Sequence, residues 1–349
     1  MRQEPGQGGW NRGRFAHTFA AIDLGTNNCR LLVARAAVDG FEVIDAFSRP
    51  VRLGEHVAAR GCLGDDAIAR TIDALGVCAS KIRRHNVSRA RYIATEACRR
   101  AGNGRAFLEQ VAERTGLTIE LIGADEEARL AVAGCEKLID SNVPRALLVD
   151  IGGGSTEVTW IAVTRRNGPC GNIARILDIT SIPWGVVTLS EEVTHALPRD
   201  APVPPEAYER MVDIIQDALR PFDRRHAIST QVGAGLVQMI GASGTVTTVA
   251  ALHLGLKRYV RASVDGSVVP REAIHRVNSE LSTRSVAQLV ELGCIGPERA
   301  DLAPAGGAIL EAVCRLWPVE RVVVADRSLR EGVLLDLMRQ ADREADATR

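Results

Sequence analysis

One local pattern occurs twice in this chain: an apolar run ending in Asp, then a glycine-rich turn that carries a hydroxyl residue. The first copy is Ala20-Ala21-Ile22-Asp23-Leu24-Gly25-Thr26-Asn27-Asn28, and the second is Leu147-Leu148-Val149-Asp150-Ile151-Gly152-Gly153-Gly154-Ser155-Thr156-Glu157. Each reads as a buried strand, a tight turn and a second strand, the latter over residues 29–34 and 158–163. The 127-residue offset from Asp23 to Asp150 is too long for a solenoid repeat and suits duplicated domains.

The pattern also carries chemistry. Glycine at the turn lets backbone N–H groups close on an anion with no Cβ in the way. An Asp at the strand end can hold a divalent cation, directly or through water. One such hairpin is weak evidence, because Gly-rich turns are common. Two at domain-scale separation, one with Gly152-Gly153-Gly154, point to a phosphate site. Ordinary hairpins would not need Asp at the same place in both runs. Arg30 and Glu157 hold equivalent positions, each seven residues after its Asp. Asp150 and Glu157, on neighbouring strands, are placed to share a magnesium ion; the alternative for Glu157 is a solvated surface carboxylate. Asp125-Glu126-Glu127 puts three acids at a helix start, where a favourable dipole interaction is the plainer explanation. If that helix is a hinge between domains, one of the carboxylates faces a cleft and can orient a water.

Strand and helix signals alternate through the first half. Residues 65–85 carry apolar positions at helical spacing, residues 117–122 read as a strand, and a helix over 125–139 has Asp125 as its N-cap. Ser141-Asn142-Val143-Pro144 then breaks the chain before the second hairpin. Domain I is therefore expected over residues 17–140 and domain II over 141–340, with a disordered tail at 1–16, a hairpin-tip loop at 167–172, a last helix ending near 338 and a frayed tail at 341–349.

Lys plus Arg and Asp plus Glu both number 43, so no global field recruits nucleic acid or an anionic membrane. Eight scattered cysteines without a C-x-x-C pair fit a reducing compartment, and no run approaches the ~20 apolar residues of a membrane span. With no signal-peptide core near the start, a cytoplasmic location is expected.

The sequence resembles the exopolyphosphatase/guanosine pentaphosphate phosphatase (Ppx/GppA) family of the actin-like ATPase superfamily. The resemblance runs from Ala20 to about Leu337 through both hairpins, ATEACRRAGN (94–103), IGADEEARLAVAGCE (122–136), MIGASGTVTTV (239–249) and DRSLREGVL (326–334). The Glu-Glu-Ala-Arg segment and the terminal Leu-Arg-Glu-Gly separate this family from chaperone and filament ATPases. The resemblance implies an α/β fold of two actin-like (ribonuclease H-like) domains with an interdomain phosphate-binding cleft. It further implies Glu127 as catalytic base, Arg99 as a phosphate ligand beside Gly25–Asn28 and Gly152–Ser155, and Asp23, Asp150 and Glu157 as acids associated with Mg2+. The implied substrate is inorganic polyphosphate or, as the nearest alternative, guanosine pentaphosphate. An actin-like ATPase or kinase and a non-catalytic phosphate sensor are the further alternatives. Longer members carry an additional C-terminal helical region that this sequence lacks, so limited processivity on long chains is expected; a homodimer is left open. The first loop departs from the family's usual Ser-Asn-Ser by reading Thr26-Asn27-Asn28, which loses one hydroxyl and keeps the turn.

Overall fold

The computed structural model describes residues 13–164, 173–195, 197–198 and 200–347. The expected loop at 167–172 and most of the expected N-terminal tail lie outside the described residues. The chain divides into two compact units, Met1–Gly134 with Leu329–Arg349, and Cys135–Ser328.

In the first unit β1 (Thr18–Leu24), β2 (Asn28–Ala37) and β3 (Gly40–Pro50) form an antiparallel meander. β4 (Arg89–Ala94) runs parallel to β1, and β5 (Glu120–Leu121) parallel to β4, for a sheet order β3-β2-β1-β4-β5. β1 is buried on both faces, so its apolar run is continuous rather than alternating. Ala20, Ile22 and Leu24 pack with Leu75, Phe107 and Val111 from the helices Asp65–Arg84 and Gly104–Thr115. Phe19 and Ala21 turn the other way, onto Leu130, Val333 and Met338. This two-sided packing holds the end of β1, where the first loop begins, in one place.

The second unit repeats the scheme. β6 (Arg145–Ile151), β7 (Thr156–Thr164) and β8 (Ile173–Ile182) form the meander, β9 (Val237–Ala242) runs parallel to β6, and β11 (Arg321–Ala325) parallel to β9. The short β10 (Val268–Pro270) adds an antiparallel edge, giving β10-β11-β9-β6-β7-β8. Read from β8, the first five strands reproduce the order of the first unit. The fold is thus α/β with two actin-like domains. Among the described residues no helix is long and apolar enough to cross a membrane.

Several boundaries differ from expectation. The last helix runs Leu329–Ala347, past residue 338 and through the expected frayed tail. It belongs to the first unit and not to domain II, because Leu329, Val333, Leu334, Met338 and Ala341 cover the face of the β1 sheet that Phe19 and Ala21 present. Asp342 on this helix accepts from the Arg14 backbone N–H (2.9 Å) and its Nε (2.6 Å), so residues 13–16 form a 3-10 turn rather than tail. The helix expected over 125–139 is Ala124–Cys135 followed by a 3-10 turn, which places Asp125 in its first turn instead of at the N-cap. The strand expected at 117–122 pairs only over Glu120–Leu121, since Leu117 and Ile119 are drawn into the core beside the sheet edge.

Gly332 shows how closely the last helix seats. A Cβ there would lie 1.9 Å from the Leu130 carbonyl oxygen of the helix Ala124–Cys135. Gly332→Ala is expected to destabilise the protein by about 3 kcal/mol, the upper range for overpacking. Gly76, inside the helix Asp65–Arg84 with nothing within 4 Å of its added Cβ, gives the opposite expectation. Gly76→Ala should stabilise by up to ~1 kcal/mol. Urea midpoints measured side by side check both signs.

Candidate phosphate-binding loops and acidic residues

The two loops are closed by the same hydrogen bond. Gly25 N–H donates to the Asn28 carbonyl (3.0 Å), and Gly152 N–H donates to the Ser155 carbonyl (3.0 Å). The strands behind them share a register as well. Asp23 lies opposite Arg30, which lies opposite Ser48, across β1, β2 and β3. Asp150 lies opposite Glu157, which lies opposite Ser181, across β6, β7 and β8.

In both loops the carbonyls are drawn into the protein by the segment that follows the third strand. The Asn27 carbonyl accepts from Val51 N–H (2.8 Å) and Arg52 N–H (3.0 Å), and the Thr26 carbonyl from Gly54 N–H (2.9 Å). The Gly152 carbonyl accepts from Val186 N–H (3.0 Å) and the Gly153 carbonyl from Val187 N–H (2.8 Å). The Thr188 hydroxyl donates to the Gly154 carbonyl (3.3 Å). A planar trans peptide points its N–H opposite to its C=O. The N–H groups of Asn27, Gly153, Gly154 and Ser155 therefore face away from the tethered side, and they make no hydrogen bond among the described residues. Consecutive backbone amides left to donate, as at Gly153, Gly154 and Ser155, suit an anion. Two glycines allow the tethers to close: a Cβ on Gly54 would lie 2.2 Å from Thr26 Cγ2, and one on Gly185 would lie 2.4 Å from the Gly153 carbonyl carbon. Asn27 is itself buried, and its Oδ1 has no partner among the described residues.

Glu157 is only 5% exposed and accepts from the Ser181 hydroxyl at Oε1 (2.8 Å), which removes the solvated-surface alternative. Asp150 Oδ2 accepts from the Ser328 hydroxyl (2.7 Å). Directly opposed residues on neighbouring strands project to one face of the sheet, so this row offers two carboxylates side by side. Among the described residues no three His, Cys, Asp or Glu side chains assemble as a metal cage. Mg2+ seldom needs one, being held by one or two carboxylates, waters and substrate phosphates. Asp23 differs. Burial pushes its carboxyl above the usual range, while Arg30 and Arg330 act to lower it.

The structure brings Arg99 and Glu127 together. Arg99, at the end of the short helix Glu96–Arg100, donates from one Nη to Glu127 Oε2 (2.8 Å) and to the Ile122 carbonyl (2.9 Å). Its Nε (3.1 Å) and second Nη (2.8 Å) both reach Glu96 Oε2. Four of the five guanidinium N–H groups are thereby used. Arg99 is first a clamp on Glu127, with one N–H left over. Glu126, the next residue back, follows another course. It accepts from Arg91 (2.9 Å) and from Arg129 (2.9 and 3.0 Å), and these guanidiniums, Arg129 foremost, hold its carboxyl down at about 2.

Sequence reasoning missed Glu96, Ser181, Ser328, Gly54, Gly185 and Thr188. Only Trp184-Gly185 before an apolar helix offered a signal, and its meaning depends on what it approaches in space.

The Ppx/GppA phosphatase family matches residues 32–341. The chain is similar to Exopolyphosphatase 2 of Mycobacterium tuberculosis, with 29% identity over 331 residues that cover 91% of this chain and 98% of that protein. It is 27% identical over 320 residues to a guanosine-5'-triphosphate,3'-diphosphate pyrophosphatase of Photobacterium profundum, covering 92% of this chain and 59% of the relative's length. The crystal structure of an exopolyphosphatase-like protein superposes with a TM-score of 0.82 at 28% identity, over 93% of this chain and 98% of that one.

Glu126 and Glu127 can be separated by acid. Because the folded carboxyl of Glu126 titrates near 2 rather than 4.5, its stabilising effect is fully present above the unfolded value and is lost as pH falls toward 2. Glu126→Gln is expected to cost no more than about 1 kcal/mol at pH 7, since solvent screens these partly exposed pairs. The gap between variant and parent melting temperatures should be constant above pH ~4.5 and narrow progressively as pH falls below it. Thermal melts from pH 3 to 7 check this.

Proposed function

The chain belongs to the Ppx/GppA phosphatase family, and we propose that it is an exopolyphosphatase, releasing the terminal phosphoryl group of inorganic polyphosphate as orthophosphate. The observation that carries this reading is the pair of loops whose carbonyls are tied back while their amides are left to donate, each beside a strand-end Asp. Phosphoryl transfer spreads charge over the equatorial oxygens, so positioning and charge neutralisation dominate its catalysis. Within each unit the loop amides, Asn27 in the first and Gly153–Ser155 in the second, suit such oxygens, with Gly25, Thr26, Asn28 and Gly152 shaping the turns. Glu127 takes the proton of the attacking water as its oxygen bonds to the terminal phosphorus and the bridging P–O bond breaks. Arg99 orients Glu127, and its remaining N–H is available to a phosphate oxygen.

Asp150 and Glu157, opposed on one sheet face, suit a magnesium ion, which when bound would neutralise charge on the phosphate chain. Asp23 is a poorer ligand, because Arg30 and Arg330 act on it and disfavour a second cation there. The end-to-end match to Exopolyphosphatase 2 supports polyphosphate over guanosine pentaphosphate.

Phosphate release from polyphosphates of defined length, guanosine pentaphosphate and ATP at one magnesium concentration tests the reading. Polyphosphate should be turned over fastest; a faster rate on guanosine pentaphosphate or ATP contradicts it. Glu127→Gln should lower turnover by about 10²–10⁴, the usual worth of a general base, with its melting temperature little changed. Turnover near the parent level would reassign the base. Glu157→Ala should need far more magnesium for half-maximal rate, and an unchanged requirement would remove Glu157 from the ion's ligands.

A further inference from the structure

Asp150 and Glu157 face each other on neighbouring strands, which sets their Cβ atoms roughly 4.5–5.5 Å apart. Like charges at that spacing repel, so each carboxylate turns away from the other unless something holds it. A hydroxyl holds each one. Ser181, opposite Glu157 on β8, donates to Glu157 Oε1 (2.8 Å), and Ser328 donates to Asp150 Oδ2 (2.7 Å). A serine hydroxyl brings a hydrogen bond and no charge. It therefore fixes the direction of a carboxylate and leaves its attraction for a cation in place, as the outer partners of metal ligands do.

Ser328 reaches Asp150 from outside the row. Asp150, Ala242 and Ala325 stand level across β6, β9 and β11, and Ser328 lies three residues beyond Ala325. The two residues between are pinned within the second unit. Asp326 N–H donates to Asp265 Oδ1 (3.1 Å), and the Asp326 carbonyl accepts from an Arg261 Nη (2.5 Å). Arg327 Nε donates to both Asp265 oxygens (3.1 and 2.9 Å), and the Arg327 carbonyl accepts from Cys135 Sγ (3.2 Å). These bonds hold the segment without the Ser328 side chain, so its hydroxyl serves Asp150 from a fixed position.

We propose that Ser328, together with Ser181, is a positioning residue that keeps Asp150 beside Glu157 in the substrate-free protein, so that a divalent cation binds before any phosphate does. The inference rests on the reading of Asp150 and Glu157 as the ion's ligands. Its test reads binding rather than turnover. Mn2+, which takes the same kinds of oxygen ligand as Mg2+, is titrated into the full chain with no phosphate compound present, and the unbound ion is counted by electron paramagnetic resonance. The parent should bind one Mn2+ saturably and release it to Mg2+. Ser328→Ala and Ser181→Ala should each weaken Mn2+ about tenfold, the scale of losing an outer partner of a metal ligand, with the metal-free melting temperature little changed. Ser328→Thr, which keeps a hydroxyl, should bind more tightly than Ser328→Ala. Parent-like affinity in Ser328→Ala overturns the proposal. So does equal weakening in Ser328→Thr and Ser328→Ala, or a parent that takes up Mn2+ only after polyphosphate is added. Glu157→Ala separates the two levels of the argument. Lost binding there beside parent-like Ser328→Ala strikes the positioning role alone, whereas unchanged binding in both variants removes the ligand assignment as well. Neither result depends on which phosphate compound is hydrolysed.

Discussion

Both halves of the molecule depend on the hydrogen bonds that draw the loop carbonyls inward. A Gly-rich turn alone can present either its carbonyls or its amides, and only the second choice attracts a phosphate. Here the segment after the third strand of each meander makes the choice, through Val51, Arg52 and Gly54 in one unit and Val186, Val187 and Thr188 in the other. Those tethers hold only because β1 and β6 are packed on both faces and cannot shift to relieve them. Core packing and loop polarity are one chain of cause.

The acidic helix start shows charge being divided by geometry. Successive helical residues point about 100° apart, so Glu126 and Glu127 reach different arginines. Glu126 is locked between Arg91 and Arg129 and serves the packing of the helix start. Glu127 meets Arg99, itself braced by Glu96 and the Ile122 carbonyl, which fixes its direction. The strand rows differ by one substitution with similar effect. Arg30 in the first row and Glu157 in the second give the two rows opposite charge at the same place.

The hairpins, their Asp residues and the duplication were legible in the sequence, because strand periodicity, glycine and a fixed residue spacing are local signals. The last helix was legible as a helix but not as part of the first unit. Its apolar stripe declares that it packs, not on what, and only Leu130 opposite Gly332 gives the answer. Gly54 and Gly185 were opaque because the backbone each accommodates is remote in sequence. Ser181 and Ser328, which orient Glu157 and Asp150, are likewise fixed by register and by chain return. Arg99 stands out in the sequence through the family resemblance, while its grip on Glu127 required the fold.

The most direct test is to observe the loop amides themselves. Amide nitrogen and proton shifts of the full chain, carrying Glu127→Gln to suppress turnover, can be recorded as a short polyphosphate is added with magnesium. The amides of Asn27, Gly153, Gly154 and Ser155 should move downfield together and gain protection from exchange. Shifts confined to other residues, with these four unmoved at saturating polyphosphate, would contradict the account.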